Sequence, residues 1–285
     1  MTARRGWRDR RAARLGGVAV GAAALLAGVA AASQPVVFRA HAAPPRAVQL
    51  VAGEITIDAA TGDGEAVGGV RLTDGRTTAV AARARLARGA GLAVLSGGAR
   101  VVAPQGTLAA REITAVFTRQ AITQVVARGG AVLDAEELRL RAPAITIVPA
   151  REEVTADGGV ALIVPPDVTA SAERVTYRRA AGQMVLEGDA RVVTRDGHVA
   201  GTRVEADRRA RRVRVSGPVR AVYGQLQVES AVALLDGQDQ VAVFTGQVRA
   251  ADPRRRLVTE RLVVWYTQRR LLAEGPTRIV VEPAP

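Results

Sequence analysis

From Met184 to Val193 the chain reads MVLEGDARVV, with apolar and polar residues alternating about a glycine. Met184, Leu186, Ala190 and Val192 fall two and four places either side of Gly188 and are apolar, while Glu187, Asp189 and Arg191 in the other phase are charged. A period of two is that of a strand with one dry and one wet face, and the glycine falls in the dry phase.

The same frame falls at Gly68, Gly97, Gly129, Gly158, Gly188, Gly217, Gly246 and Gly275, at intervals of 29, 32, 29, 30, 29, 29 and 29 residues. Two places before these glycines stand Ala66, Leu95, Ala127, Ala156, Leu186, Val215, Phe244 and Ala273. Two places after stand Val70, Ala99, Ala131, Val160, Ala190, Val219, Val248 and Thr277, of which only the last is polar. A fixed period of this length marks a repeat architecture, in which no unit buries its apolar face alone. Each repeat holds a second, shorter alternating run, such as Val168 to Tyr177, Val199 to Ala206, Leu226 to Leu234 and Leu257 to Tyr266. Turn-forming residues separate the runs at 59–63, 88–91, 178–182, 207–211 and 236–239, and again at Thr73-Asp74-Gly75, Pro104-Gln105-Gly106, Pro165-Pro166-Asp167, Arg195-Asp196-Gly197 and Asp252-Pro253. Two strands per repeat predict an all-β domain over 49–282, with about sixteen strands in eight repeats of ~29 residues and almost no helix.

Ahead of the repeats, residues 1–14 are arginine-rich, and Leu15 to Ala32 is an uncharged run of Ala, Gly, Val and Leu. This is the pattern of an export signal or a membrane anchor. Ala40-His41-Ala42 offers a small-x-small cleavage site, which favours a cleaved signal peptide over 1–42. The apolar run is also just long enough to span a bilayer, so a retained anchor stays open. In either case the repeats are expected outside the cytoplasm. A Pro-containing linker, 43–48, leads into the repeats, and 283–285 is a short tail.

Composition changes this picture in two ways. Aromatic residues make up 3% of the chain and its apolar content is mostly Ala and Val, which suits thin strands or an open trough better than a thick, filled core. Every basic residue is arginine, and the formal charge is +13. The seven leader arginines and Asp9 account for +6 of that, which leaves +7 from Ala43 onward. Charge of that sign could meet nucleic acid or phosphorylated lipid. Three residues after the marker glycine stand Arg71, Arg100, Arg191, Arg220, Arg249 and Arg278, with Val132 and Ala161 interrupting the series. If the repeats stack in register these arginines form a row. It reads as a solvated face with carboxylates such as Asp157, Glu187 and Glu274 close by, or as a strip facing anions.

Catalysis and metal binding find little to work with. The chain has no cysteine and two histidines, His41 and His198, and it lacks a Gly-x-Ser-x-Gly, a phosphate-binding glycine loop, a dinucleotide fingerprint and a metal-ligand cluster. No catalytic residue, metal site or cofactor is expected. A carbohydrate-active β-helix would group carboxylates on one wet face and carry aromatic sugar platforms. Here Tyr177, Tyr223, Tyr266 and Trp265 are the only candidates, and Trp265 with Tyr266 reads as a cap on the last repeat.

The succession Val-Thr-Ala-Ser-Ala-Glu-Arg-Val-Thr-Tyr, then Met-Val-Leu-Glu-Gly-Asp-Ala-Arg-Val-Val, behind an export segment, resembles the LptA/OstA family of lipopolysaccharide-transport proteins. In that family a strand of the form "apolar, x, Ala, x, x, x, apolar, x, Tyr" leads into "apolar, x, Gly, x, apolar, x, apolar". The likeness is clearest at 168–193 and 199–221 and keeps its phase across 49–282. It implies an elongated semi-open β-jellyroll whose apolar trough holds the acyl chains of lipopolysaccharide while the sugar head projects out. It also implies a periplasmic bridge between an inner-membrane ABC exporter and an outer-membrane assembly protein, or the role of the anchored LptC partner, which has the same fold.

The reading of the residues meets that implication at the dry face. Lining candidates are Leu95, Val101, Val125, Val160, Leu162, Met184, Leu186, Val192, Val213, Val215, Val219 and Phe244, with Ala99, Ala127, Ala131 and Ala190 small enough to leave room. At roughly 25 cal/mol per Å² an acyl chain buried there gains on the order of several kcal/mol without a directional bond. Gln49 to Ile57 and Arg278 to Glu282 form the end strands, whose edges could pair head-to-tail with a second copy or another jellyroll domain. The expectation is a non-enzymatic periplasmic carrier for lipopolysaccharide or a related glycolipid, without a nucleic-acid partner. The alternative is a structural β-solenoid, such as a surface or adhesin-type stalk, with a filled interior.

Overall fold

The computed structural model describes residues 49–118, 121–136, 138–195, 197–265, 268 and 270–281. The leader, the linker, the tail and Tyr266 lie outside them. The described part of the chain is all-β but for one short turn of helix and is repeat-built, as the sequence pattern predicts. The strands are β1 (Gln49–Val51), β2 (Glu54–Ile57), β3 (Gly64–Thr73), β4 (Thr78–Ala87), β5 (Leu92–Ala103), β6 (Gly106–Phe117), β7 (Ile122–Ala135), β8 (Leu138–Val148), β9 (Glu153–Val164), β10 (Val168–Arg178), β11 (Gln183–Thr194), β12 (Gly197–Asp207), β13 (Arg212–Tyr223), β14 (Leu226–Asp236), β15 (Val241–Asp252), β16 (Arg255–Trp265), β17 (Arg270–Glu274) and β18 (Arg278–Val281). Among the described residues the helical element is a 3-10 turn at Pro149–Arg151, and no helix is long and apolar enough to cross a membrane.

The chain forms two compact units, divided within β11 between Ala190 and Arg191. In the first, β3 to β9 each pair antiparallel with the next strand, and β1 and β2 share the outer edge of β3. In the second, β12 to β16 pair in the same way, and β17 and β18 share the outer edge of β16. The strand number exceeds the about sixteen expected because the first and last strands are each broken into two pieces.

The turns are held by aspartates placed where the strands end. Asp58 accepts hydrogen bonds from the N–H groups of Ala60 and Thr61, and Asp252 from those of Arg254 and Arg255. Such side chains mimic a backbone turn and fix where the chain reverses. Asp236 accepts from Gln238 (2.9 Å) and Asp239 (3.2 Å) and also from Arg212 Nε across the strand pair (2.8 Å). The Arg212 guanidinium foremost, then the two backbone donors, hold the Asp236 carboxyl below its ordinary range. A carboxylate depressed in the folded state stabilises above about pH 4, its unfolded value, and that contribution is lost as pH falls through the folded one. Asp236→Asn should therefore flatten the decline in melting temperature below about pH 4. An acid limb identical to wild type would show that this turn does not contribute to it.

Between its two turns each long strand has a corner, and the glycine strands hold one extra residue there. Gly129, Gly130 and Ala131 of β7 lie against only Ala110 and Arg111 of β6, and Gly217, Pro218 and Val219 of β13 against only Gly201 and Thr202 of β12. This is a β-bulge, which bends the strand. At Gly129 and Gly217 φ is +83° and +97°, and an added Cβ would stand 2.7 Å from Arg111 Cβ and 2.2 Å from Thr202 Oγ1. Both the backbone and the close neighbour demand glycine. The sequence frame puts the marker glycine in the dry phase, and the structure corrects that: Gly129 is exposed and Gly217 only half-buried. Alternation restarts at the bulge, so the residues two places before and after both point inward while the glycine does not.

The corner also accounts for the core. Inward side chains are covered both before the bend, as at Leu186 and Phe244, and after it, as at Leu162 and Val219. A sheet face needs a second layer to become dry. With no helix layer among the described residues, the leading half of each strand (before the corner on a glycine strand, with the stretches paired to it) covers the trailing half.

Candidate functional site

The interior is not filled evenly along the chain. Nine of the twelve expected lining residues are buried: Val160, Leu162, Met184, Leu186, Val192, Val213, Val215, Val219 and Phe244. Leu186 and Val215 are 0% exposed, so these positions are sealed by their own neighbours. The small residues expected to leave room do not, since Ala99, Ala127, Ala131 and Ala190 are all buried. The remaining three, Leu95, Val101 and Val125, are half-buried and lie close together in the first unit.

Their neighbours show why. Val101 stands between Ala79 and Leu108, Leu95 between Ala84 and Ile113, and Val125 between Ala115 and Ile147. On β3 to β7 the inward rows include Ala79, Ala84, Ala93 and Ala115, each half-buried, together with half-buried Leu72 and Phe117 and an exposed Leu86. Further along the same rows stand Leu133, Leu140, Leu162, Ile145 and Ile147, all buried. Alanine is too short to bridge the two halves, whereas leucine and isoleucine fill the space between them. The result is an apolar groove over β3 to β7, floored by buried Leu108 and Ile113, that closes from β8 onward.

The groove continues to the β1/β2 edge, where Ile55 and Ile57 pair with the inward residues Ala66 and Gly64 and are 43% and 66% exposed. At the far edge of the second unit Leu271 and Ile279, opposite Val264 and Leu257, are likewise exposed. Of the groove residues missed in the sequence, Leu72 lies in the glycine frame four places after Gly68. Leu86 and Phe117 lie on intervening strands, where no glycine marks the register.

The arginine row forms on the outer face of the trailing half. Arg71 stands opposite Val51 and Val80, and Arg100 opposite Val80 and Ala109. In the second unit Arg220 stands opposite Ala200 and Glu229, and Arg249 and Arg278 both stand opposite Val258. Arg191 is exposed like the others. The gaps at Val132 and Ala161 are filled from the strand between them, because Arg141 of β8 faces both. Two of the carboxylates expected nearby do not reach the row: Asp157 pairs with Arg174 and Glu274 with Arg261, in the leading half. His198 lies on the trailing face, where burial and then the Arg191 charge push its imidazole below the ordinary histidine range.

No group of three metal-capable side chains converges among the described residues. A surface cleft of about 680 Å³ lies over the corners of β9 to β11, lined by Asp157, Glu173, Arg174, Glu187 and glycines. Arg174 already engages Asp157 there. At the chain's end the Arg270 guanidinium lies 5.1 Å from the centre of the Trp265 ring, a cation–π contact.

No family model matches the sequence, and no curated protein matches it. Among solved structures, the chain is similar to the crystal structure of LptH, the LptA homologous periplasmic component of the conserved lipopolysaccharide transport device from Pseudomonas aeruginosa. The two are 14% identical over 62% of this chain and 94% of that one, with a TM-score of 0.22.

Proposed function

We propose that the chain is a non-enzymatic extracytoplasmic carrier or bridge component that takes acyl chains of lipopolysaccharide or a related envelope glycolipid into the groove over β3 to β7. The observation that carries this reading is the set of inward apolar residues left half-exposed there, at positions that are sealed further along the chain. An acyl chain lying against Leu72, Leu86, Leu95, Val101, Phe117 and Val125 would complete the burial that alanine leaves unfinished, and it needs no hydrogen bonds to do so. The repeat pattern resembling the LptA/OstA family and the export-type leader support a periplasmic site of action. The apolar edges at Ile55 and Ile57 and at Ile279 and Val281 suit head-to-tail pairing with another jellyroll domain or a second copy. In the resembled family such a bridge runs from the ABC exporter toward the outer-membrane assembly protein.

One feature favours the alternative, a structural solenoid with a filled interior: the interior is closed from β8 onward. The two readings separate by photocrosslinking from a benzophenone amino acid at Leu95, in cells making envelope glycolipid. Val94, half-buried on the opposite face, and the sealed Leu186 serve as controls. Glycolipid adducts at Leu95 and at neither control are the expected result. A folded protein without an adduct at Leu95 would leave the solenoid as the better account.

A further inference from the structure

The positive charge of the repeats is gathered on one face of each unit. In the first unit the strands of the trailing outer face present Arg71, Arg100, Arg139 and Arg141 against Asp134, which is engaged by Arg139, while Asp74, Glu136 and Asp167 stand in the turns at the rim of that half. In the second, the corresponding face presents Arg191, Arg220, Arg249, Arg256 and Arg278 against Glu229, which lies 3.9 Å from Arg220. The leading face differs, because its arginines sit among carboxylates and several are paired: Arg174 with Asp157, Arg178 with Glu153, Arg203 with Glu205. Among the described residues Arg71, Arg100, Arg141, Arg249 and Arg278 pair with no carboxylate.

Between the unpaired arginines stand exposed aliphatic side chains. Val102 and Ile163 are 42% and 45% exposed in the first unit, and Val258 and Val280 are 49% and 46% exposed in the second. Successive arginines two strands apart stand about 10 Å from one another. We infer that this face docks on an anionic phospholipid surface, with guanidinium groups on the phosphates and the interleaved valine and isoleucine side chains at the headgroup boundary. A small soluble anion calls for a concave site, whereas this is an open sheet face. A single-stranded nucleic acid calls for aromatic platforms, and no described aromatic residue points outward here. The inference stands apart from the proposed cargo, which occupies the other side of the same sheet.

The test is binding of the full chain to vesicles of phosphatidylcholine with and without phosphatidylglycerol, comparing two triple variants of equal charge. Arg71→Gln/Arg100→Gln/Arg141→Gln empties the row of the first unit, and Arg83→Gln/Arg85→Gln/Arg128→Gln removes three exposed arginines from its leading face. The leader is common to all three proteins, so it cancels in the comparison, and circular dichroism checks that each is folded. The row variant should lose about 100-fold in affinity for the anionic vesicles, at about tenfold or less per arginine near the surface. The control should stay close to wild type, because its arginines lie beyond a Debye length from a membrane on the trailing face. Equal losses in both variants, or none in either, overturn the proposal. So does tighter binding of a short DNA duplex than of the vesicles at equal phosphate, which would assign the face to nucleic acid.

Discussion

Gly217→Ala is expected to lower the melting temperature of the protein by roughly 10 °C, the equivalent of about 3 kcal/mol in a domain of this size. Two effects add. A side chain at positive φ costs about 1–2 kcal/mol, and φ at Gly217 is +97°. The new methyl would also sit 2.2 Å from Thr202 Oγ1 and 2.7 Å from its Cβ, so the corner must open. Overpacking of that kind costs typically 1–3 kcal/mol. The double variant Gly217→Ala/Thr202→Gly removes the side-chain part of the collision, but neither the backbone cost nor the 2.9 Å approach to the main-chain N of residue 202, and it should recover less than half of the loss. Gly159→Ala is the matching control, since φ there is +91° while nothing lies within 4 Å of the added Cβ. Thermal melts in which Gly159→Ala is as damaging as Gly217→Ala would show that the close approach is unimportant and only the dihedral matters.

Leu162→Ala should destabilise the first unit by about 2–5 kcal/mol, the cost of a cavity in a sealed core. Leu162 is 1% exposed and stands between Leu140 and Ala170, both buried. The same change at Leu95, half-buried between Ala84 and Ile113, should cost only about 1 kcal/mol, because water already reaches the site and little packing is lost. The two variants share a substitution and a unit, so their ratio in denaturant unfolding measures how far the interior is open. Equal losses would mean that β3 to β7 are packed as tightly as β8 to β10, and the groove would then have no room for an acyl chain.

Much of this architecture is visible in the residues themselves. Period-two alternation with Asp- and Gly-rich breaks locates the turns and strands, and the recurring glycine locates the corners. The corner's geometry is hidden for a physical reason. Ala127, Gly129 and Ala131 share a parity, and parity alone cannot reveal that a bulge inserts a residue and turns the middle one outward. The openness of the interior is hidden because it depends on what each side chain meets across the fold. Leu95 and Leu162 look alike in sequence, and each stands between one alanine and one larger aliphatic residue of its own row, yet the first is half-buried and the second sealed. The arginine row is half visible: six of its members recur after the glycines, but Arg141 belongs to the strand between and enters only through its pairing with Val132 and Ala161.

Within each unit the long strands pair only with their neighbours along the chain, and most of the turns that join them are short. Closing each pair therefore carries a small entropic penalty, and no strand has to wait for a distant one to be made. A polypeptide that emerges N-terminus first can add one hairpin at a time to an already folded edge. Until the last strand arrives, the growing edge presents an unpaired strand with an apolar face, so the half-built sheet is the state most exposed to pairing with the wrong partner.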